Sequence, residues 1–190
     1  MNTRKIVLIG DPNVGKSALL CRLCRDKFED RSDTTIGAAF CTHRVGDILL
    51  HIWDTAGSER FGSLVPMYVR GASSILVCFD RPDISTIQKH ITEARRINVN
   101  GTIILVATKM DGNQTVRYPD IEEFAREIGS EFIYTSSKTG YNVKLLFDDL
   151  GKRLKKIPTT LLTEKTLLFP LSPIPPSKIS TTLSSWCSFL

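Results

Sequence analysis

The sequence predicts an α/β fold of three layers, with a six-stranded, mostly parallel sheet, one antiparallel edge strand and helices on both faces. Three observations predict it. Short runs that are apolar on both faces alternate with segments whose apolar residues recur at helical spacing, the pattern of parallel strands covered by helices. A glycine-bearing turn, GDPNVGKS (10–17), joins the first apolar run to the first helical segment. The alternation breaks once, where two strand-like runs follow each other across Gly46-Asp47, a plausible two-residue hairpin turn.

In chain order the first strand is KIVLIG (5–10). After Lys16, Leu19, Leu20 and Leu23 share a helix face. FCTHRV and ILLHIW (48–53) form the hairpin, and SSILVCF (73–79) and TIILVAT (102–108) are buried strands. Between those two, Ile84, Ile87, Ile91 and Ala94 make a second helical stripe. Asp120 opens a third helix, with Glu123 completing a capping box and Gly129 as the stop. EFIYTS (131–136) is the sixth strand, and Val143, Leu146, Phe147, Leu150 and Leu154 make the last stripe behind an Asn142 cap.

The 190 residues carry a net charge of +5. That is enough chain for one domain with its own core. The mild basic excess comes without a Lys/Arg block or interleaved aromatics, so nucleic acid is not an expected partner. The five cysteines are scattered. The lone C-x-x-C of Cys21 and Cys24 sits in a helical segment and reads as packing rather than as a zinc site. An odd count without a framework points to a reducing compartment. No stretch reaches the ~18 apolar residues of a membrane span, and the run after Arg4 and Lys5 reads as a strand, not a signal peptide.

From Pro158 the composition changes. The last 33 residues hold five Pro, twelve Ser or Thr and three charges, so residues 1–157 are expected to form the folded domain and 158–190 a flexible tail. The tail's leucines and Phe169 read either as a transient docking segment or as functionless.

GDPNVGKS matches G-x-x-x-x-G-K-S in the strand–turn–helix context that motif requires. Such a loop aims backbone N–H groups at phosphate oxygens, and the helix N-terminus adds positive potential. Gly10, Asp11, Asn13, Val14, Gly15, Lys16, Ser17 and Ala18 are therefore assigned to a nucleotide. Lys16 is to reach the β- and γ-phosphates and Ser17 to ligate Mg²⁺. Asp54 ends a strand on the sheet edge where ligands of open α/β sheets bind, and its assignment is to the metal, directly or through water; the alternative is a loop cap.

Two later segments, ATKMD (107–111) and YTSSKTG (134–140), complete an ordered set of five motifs. Together they resemble the Ras superfamily of small GTPases over residues from about 5 to 157. The resemblance implies GTP or GDP as ligand. Asp111 would read the guanine ring N–H and amine, with Lys109 along the base and Thr108 in the place of the usual Asn. Thr at that position looks like the Rac-type members, so the guanine reading stands, with a looser tie to the phosphate loop expected. Ser136, Ser137 and Lys138 resemble the element whose backbone N–H meets the guanine carbonyl, and Phe28 the aromatic residue stacked on the base. Thr35 and Gly57 resemble the two switch residues that meet the γ-phosphate, Thr35 also ligating Mg²⁺.

Within the superfamily the chain is similar to the Rab branch, through TIGAAF (35–40), WDTAGSERF (53–61) and MYVRGA (67–72). Ile36, Phe40, Trp53 and Tyr68 match effector-binding positions; Phe40 and Trp53 could instead lie on the hairpin's core face. Cys187 begins a C-a-a-X ending whose terminal Leu favours geranylgeranyl. Most Rabs carry two terminal cysteines, and one lipid chain gives only reversible anchoring. The resemblance also implies a monomer in the cytoplasm, reversibly attached to the cytosolic face of an intracellular membrane, with effectors, an exchange factor and a GTPase-activating protein as partners. The hydrolysis step is assigned to Lys16, Thr35, Gly57 and Ser58. Ser58 stands where the family has the Gln that orients the attacking water, and Pro12 is unusual beside the γ-phosphate. Two readings follow: a slow GTPase switch in vesicle traffic, or a hydrolysis-deficient scaffold that stays GTP-loaded.

Overall fold

The computed structural model describes residues 2–29, 38–55, 65–111 and 118–156. The sheet has six strands: β1 (Asn2–Ile9), β2 (Ala38–Val45), β3 (Ile48–Thr55), β4 (Ser74–Phe79), β5 (Thr102–Ala107) and β6 (Glu131–Tyr134), in the order β2-β3-β1-β4-β5-β6. All neighbours run parallel except β2 and β3, which pair antiparallel from Val45↔Ile48 to Ala38↔Thr55. The hairpin turns where expected, with Gly46 at φ +60°.

The reason for the doubly apolar strands is visible in β1. Ile6 and Leu8 point into one buried cluster with Leu19 and Leu20 of α1 (Lys16–Arg25) and Leu146, Phe147 and Leu150 of α5 (Val143–Lys155). Val7 and Ile9 point the other way, into a cluster with Ile87 and Ala94 of α3 (Ile84–Ile97) and Ile121 and Phe124 of α4 (Pro119–Glu127). Each strand of the centre thus feeds two cores, and helices cover both faces. This is the predicted three-layer α/β architecture.

Local details depart from expectation. The first strand starts at Asn2 rather than Lys5. A short helix, α2 (Val65–Val69), was not anticipated. Asp120 does not cap α4. Proline is suited to the first helical position because its missing N–H has no intrahelical use, so the helix begins one residue earlier, at Pro119, behind Tyr118. Glu123 accordingly pairs with Arg126 instead of closing a capping box. Asn142 does precede α5, but in the left-handed conformation and without a side-chain cap; its Nδ2 donates to Tyr134 O at 3.0 Å.

The cysteines also differ. Cys24 is joined by a disulfide to Cys41 of β2, while Cys21 is a free thiol. The C-x-x-C is therefore not a packing pair, and the bonded pair runs against the reducing compartment that the scattered cysteines suggest. The bonded partners are 17 positions apart in sequence, and only the laying of α1 against β2 brings them together.

Candidate functional site

The phosphate loop leaves β1 at Gly10, at the centre of the sheet where the strand order reverses. Gly10 holds φ +139°, and a Cβ there would lie 2.1 Å from the Cys78 carbonyl oxygen. Only glycine lets the loop start this close to β4. Asn13 and Gly15 also take positive φ, of 62° and 97°, which curls the backbone before α1. Lys16, buried at the head of α1, donates from Nζ to Gly10 O at 2.9 Å and Asp11 O at 2.8 Å. Its ammonium thus lies over the hollow that the loop encloses. Burial pushes its pKa down, with the carboxylates of Asp54 and Asp11 acting against that shift.

Ser17 donates from Oγ to Asp54 Oδ2 at 2.5 Å. Asp54 is fully buried at the end of β3. A buried carboxylate and a hydroxyl, side by side at the mouth of a phosphate loop, form an all-oxygen donor set of the kind Mg²⁺ takes.

The segments assigned to the base arrive from the ends of β5 and β6. Thr108 is 2% exposed. Its hydroxyl lies against both Val14 O and Phe79 O, the latter at 2.9 Å. The expected loosening of the tie to the phosphate loop is therefore not found: the short side chain sits close enough to reach the loop itself. Lys109 takes φ +59°, passes over Gly15 and pairs with Asp80 at 2.7 Å. Asp111 is exposed, with Ser136 Oγ 3.3 Å from its Oδ1. Ser136 and Ser137 are buried in a turn closed by Gly140 N to Ser136 O and Thr139 N to Ser136 Oγ. Lys138 is exposed, and Phe28 is half-buried beyond the end of α1.

A match to the Ras family pattern covers residues 5–156. The chain belongs to the Ras family of small GTPases. It is 37% identical to "Ras-related protein Rab-5A" of Dictyostelium discoideum, over 82% of this chain and 83% of that one. It is 40% identical to "GTP-binding protein ypt5" of Schizosaccharomyces pombe, over 80% and 77%. With human "Ras-related protein Rab-31" the identity is 35%, over 79% and 82%. These relatives put this GTPase among the Rab-like members.

In this GTPase, Gly10 to Ala18, Asp54, Thr108, Lys109, Asp111 and the 136–138 turn meet at one edge of the sheet. The aromatic positions meet as well. Phe40 and Trp53 have ring centroids 4.8 Å apart, and Trp53 and Tyr68 5.4 Å. Trp53 and Tyr68 pack partly against the core on the α3 side. Phe40, 49% exposed, does not. His51 extends the row, edge-on to Phe40 at 5.3 Å. Thr35, Ile36, Gly57, Ser58 and Cys187 lie outside the described residues, as does the segment 158–190.

Sequence reasoning missed one contact of the phosphate loop. His90 of α3 places Nε2 at 2.8 Å from Asp11 Oδ1. The partners are 79 residues apart, and no local pattern marks either of them. A hollow of about 490 Å³ bordered by Arg126, Ser130, Phe132 and Tyr141 lies on the β6 side.

Proposed function

We propose that this GTPase is a Rab-type switch of intracellular vesicle traffic that binds GTP and GDP, recruits effectors when GTP-loaded, and hydrolyses GTP slowly. The observation that carries this reading is the convergence of the phosphate loop, the Ser17–Asp54 pair and the Thr108–Asp111 and 136–138 segments on one sheet edge. The Rab names of the relatives support the traffic role.

Ser17, Thr35 and Asp54 would hold Mg²⁺, which would offset negative charge at the phosphates. Lys16 would exchange the carbonyls of Gly10 and Asp11 for phosphate oxygens. The backbone N–H groups of residues 13–17 would line the β-phosphate, and Thr35 and Gly57 would sense the γ-phosphate. Loss of that phosphate removes both contacts, which is what makes such loops two-state. The exposed Phe40 edge of the Phe40–Trp53–Tyr68 row suits an effector contact, since aromatic anchors dominate binding patches.

Ser58 is too short to take the place of the water-orienting Gln. Phosphoryl transfer depends on positioning and electrostatics, so unassisted turnover is expected to be weak. Rab-type activating proteins supply an Arg and a Gln in trans, which leaves assisted turnover open to this protein. Single-turnover GTP hydrolysis by wild type and Ser58→Gln, each with and without such an activating domain, tests the reading. The slow-switch reading expects Ser58→Gln to exceed wild type when unassisted, and the activating domain to restore wild type. Wild type as fast as Ser58→Gln when unassisted refutes the role given to Ser58. No turnover under any condition favours the GTP-loaded scaffold instead.

Cys187 is proposed as a geranylgeranyl site that attaches the chain reversibly to the cytosolic face of a membrane. No helix among the described residues is long and apolar enough to cross one. Detergent-phase partitioning of Cys187→Ser against wild type reads this directly; equal partitioning excludes the lipid.

A further inference from the structure

Arg22, on α1, bridges two parts of the base site. Its Nε donates to Ser137 O at 2.6 Å and its Nη2 to Lys138 O at 2.7 Å. Its Nη1 reaches Asp26 twice, the carbonyl oxygen at 3.0 Å and Oδ1 at 3.1 Å. The side chain is 17% exposed, and its stem crosses Gly140, where an added Cβ would lie 3.9 Å from Arg22 Cδ.

The two ends of this bridge do different things. At one end, the 136–140 turn closes on itself through Ser136, but its outward carbonyls at 137 and 138 are held by Arg22. At the other, Asp26 ends α1 at φ 51° and Phe28 follows two residues later. One guanidinium therefore fixes the separation between the turn that faces the guanine carbonyl and the start of the segment that carries the stacking ring. A planar cation with donors in a rigid fork suits two adjacent carbonyls; the point charge of a lysine does not. A carbonyl bound by a cation also polarises its own peptide unit, so the bond at Ser137 O strengthens as a donor the N–H of Lys138, which shares that peptide.

We infer that Arg22 is a positioning residue for the guanine base, holding the 137–138 backbone where an N–H of this turn meets the 6-oxo group. The inference rests on the guanine-nucleotide reading above.

The test uses the full chain as wild type, Arg22→Gln and Arg22→Lys. Release of fluorescent GDP is timed, and relative affinities are measured for GDP, for 6-thio-GDP and for IDP. 6-Thio-GDP has a weaker acceptor at position 6, and IDP lacks the amine assigned to Asp111. Arg22→Gln is expected to release GDP about tenfold faster, equivalent to about 1.4 kcal/mol, with Arg22→Lys in between. The discrimination between GDP and 6-thio-GDP shrinks in the variants, while that between GDP and IDP stays. A purely structural role for Arg22 lowers all affinities together and leaves both ratios unchanged; that result overturns the inference. GDP release within twofold of wild type in both variants overturns it too. Should Arg22→Gln fail to fold, Arg22→Lys keeps the charge and the stem and gives the same readings. A wild type that fails to prefer GDP over ADP overturns the guanine reading, and the inference with it.

Discussion

Replacing Thr108 by Val deletes a hydroxyl and changes little else, because the two side chains have nearly the same shape. The structure says where the loss falls. Phe79 O also accepts the Thr108 backbone N–H at 2.8 Å, so it keeps a donor. Val14 O takes its bond from the hydroxyl and loses it inside a site where Val14 and Thr108 are both buried. A buried acceptor left without its donor costs about 1–3 kcal/mol. If the phosphate loop is set by this tie, the same energy appears in nucleotide binding as about 5- to 150-fold faster release. Urea unfolding of the GDP-loaded protein reads the first quantity, and release of fluorescent GDP the second. Thr108→Ser keeps the hydroxyl and should stay near wild type in release. A Thr108→Val protein that matches wild type in both measurements would refute the claim that Thr108 holds the loop.

Asp83 caps α3, accepting from the N–H groups of Ser85 and Thr86 and from both hydroxyls. Asp83→Ala should cost about 1 kcal/mol, or roughly 2–4 °C in melting temperature for a chain of this size. The bonds from Ser85 and Thr86 hold the Asp83 carboxyl below its ordinary 3.8. Its contribution is therefore present above that value and lost as pH falls through the lower, folded one, so melts of the variant and wild type converge on acidification; a constant gap from pH 7 to 3 would remove the carboxylate from the cap. The Cys24–Cys41 disulfide closes a segment of 17 residues, which constrains the unfolded chain by about 3 kcal/mol. Reductant should lower the urea midpoint of wild type and of Cys21→Ser alike, and leave Cys24→Ser unmoved; an unmoved wild type would show that the bond adds no stability.

The parts legible in the sequence are those set by local pattern. Doubly apolar runs marked the buried strands because each strand feeds two cores, as Ile6 and Val7 show by pointing to opposite sides. Gly10 was legible because the loop motif requires a residue without a Cβ, and the 2.1 Å approach to Cys78 O is that requirement in coordinates. The misreadings occur where a distant group competes with a local one. Tyr118 N donates to Tyr134 Oη at 2.6 Å, so the start of α4 is fixed by a ring on β6 and by Pro119, and Asp120 is left inside the first turn. Asn142 stands at the right position, but β6 takes its amide. The tie expected to loosen at Thr108 holds because Val14 O comes within reach of its hydroxyl, an approach that cannot be read from sequence.

The departures from the family pattern bear differently on binding and on turnover. The phosphate loop is fixed by side chains from three neighbouring elements: Thr108 beyond β5 at Val14, His90 of α3 at Asp11, and Asp54 of β3 at Ser17. Pro12 sits between the first two of these anchors. It removes one backbone N–H from the loop, but the anchors on either side do not depend on that group. The ground state of a bound nucleotide thus keeps its cradle. In the proposed mechanism, what Ser58 lacks is the amide that would act on the attacking water, a contact made in the transition state. An interaction made only there changes turnover without changing affinity. A defect confined to Ser58 should therefore lower the single-turnover rate and leave the GTP dissociation constant of wild type and Ser58→Gln the same. A defect originating in the loop would instead show as a change of both quantities in Pro12→Gly, and a Ser58→Gln variant that binds GTP more tightly than wild type would refute the assignment of residue 58 to the transition state alone.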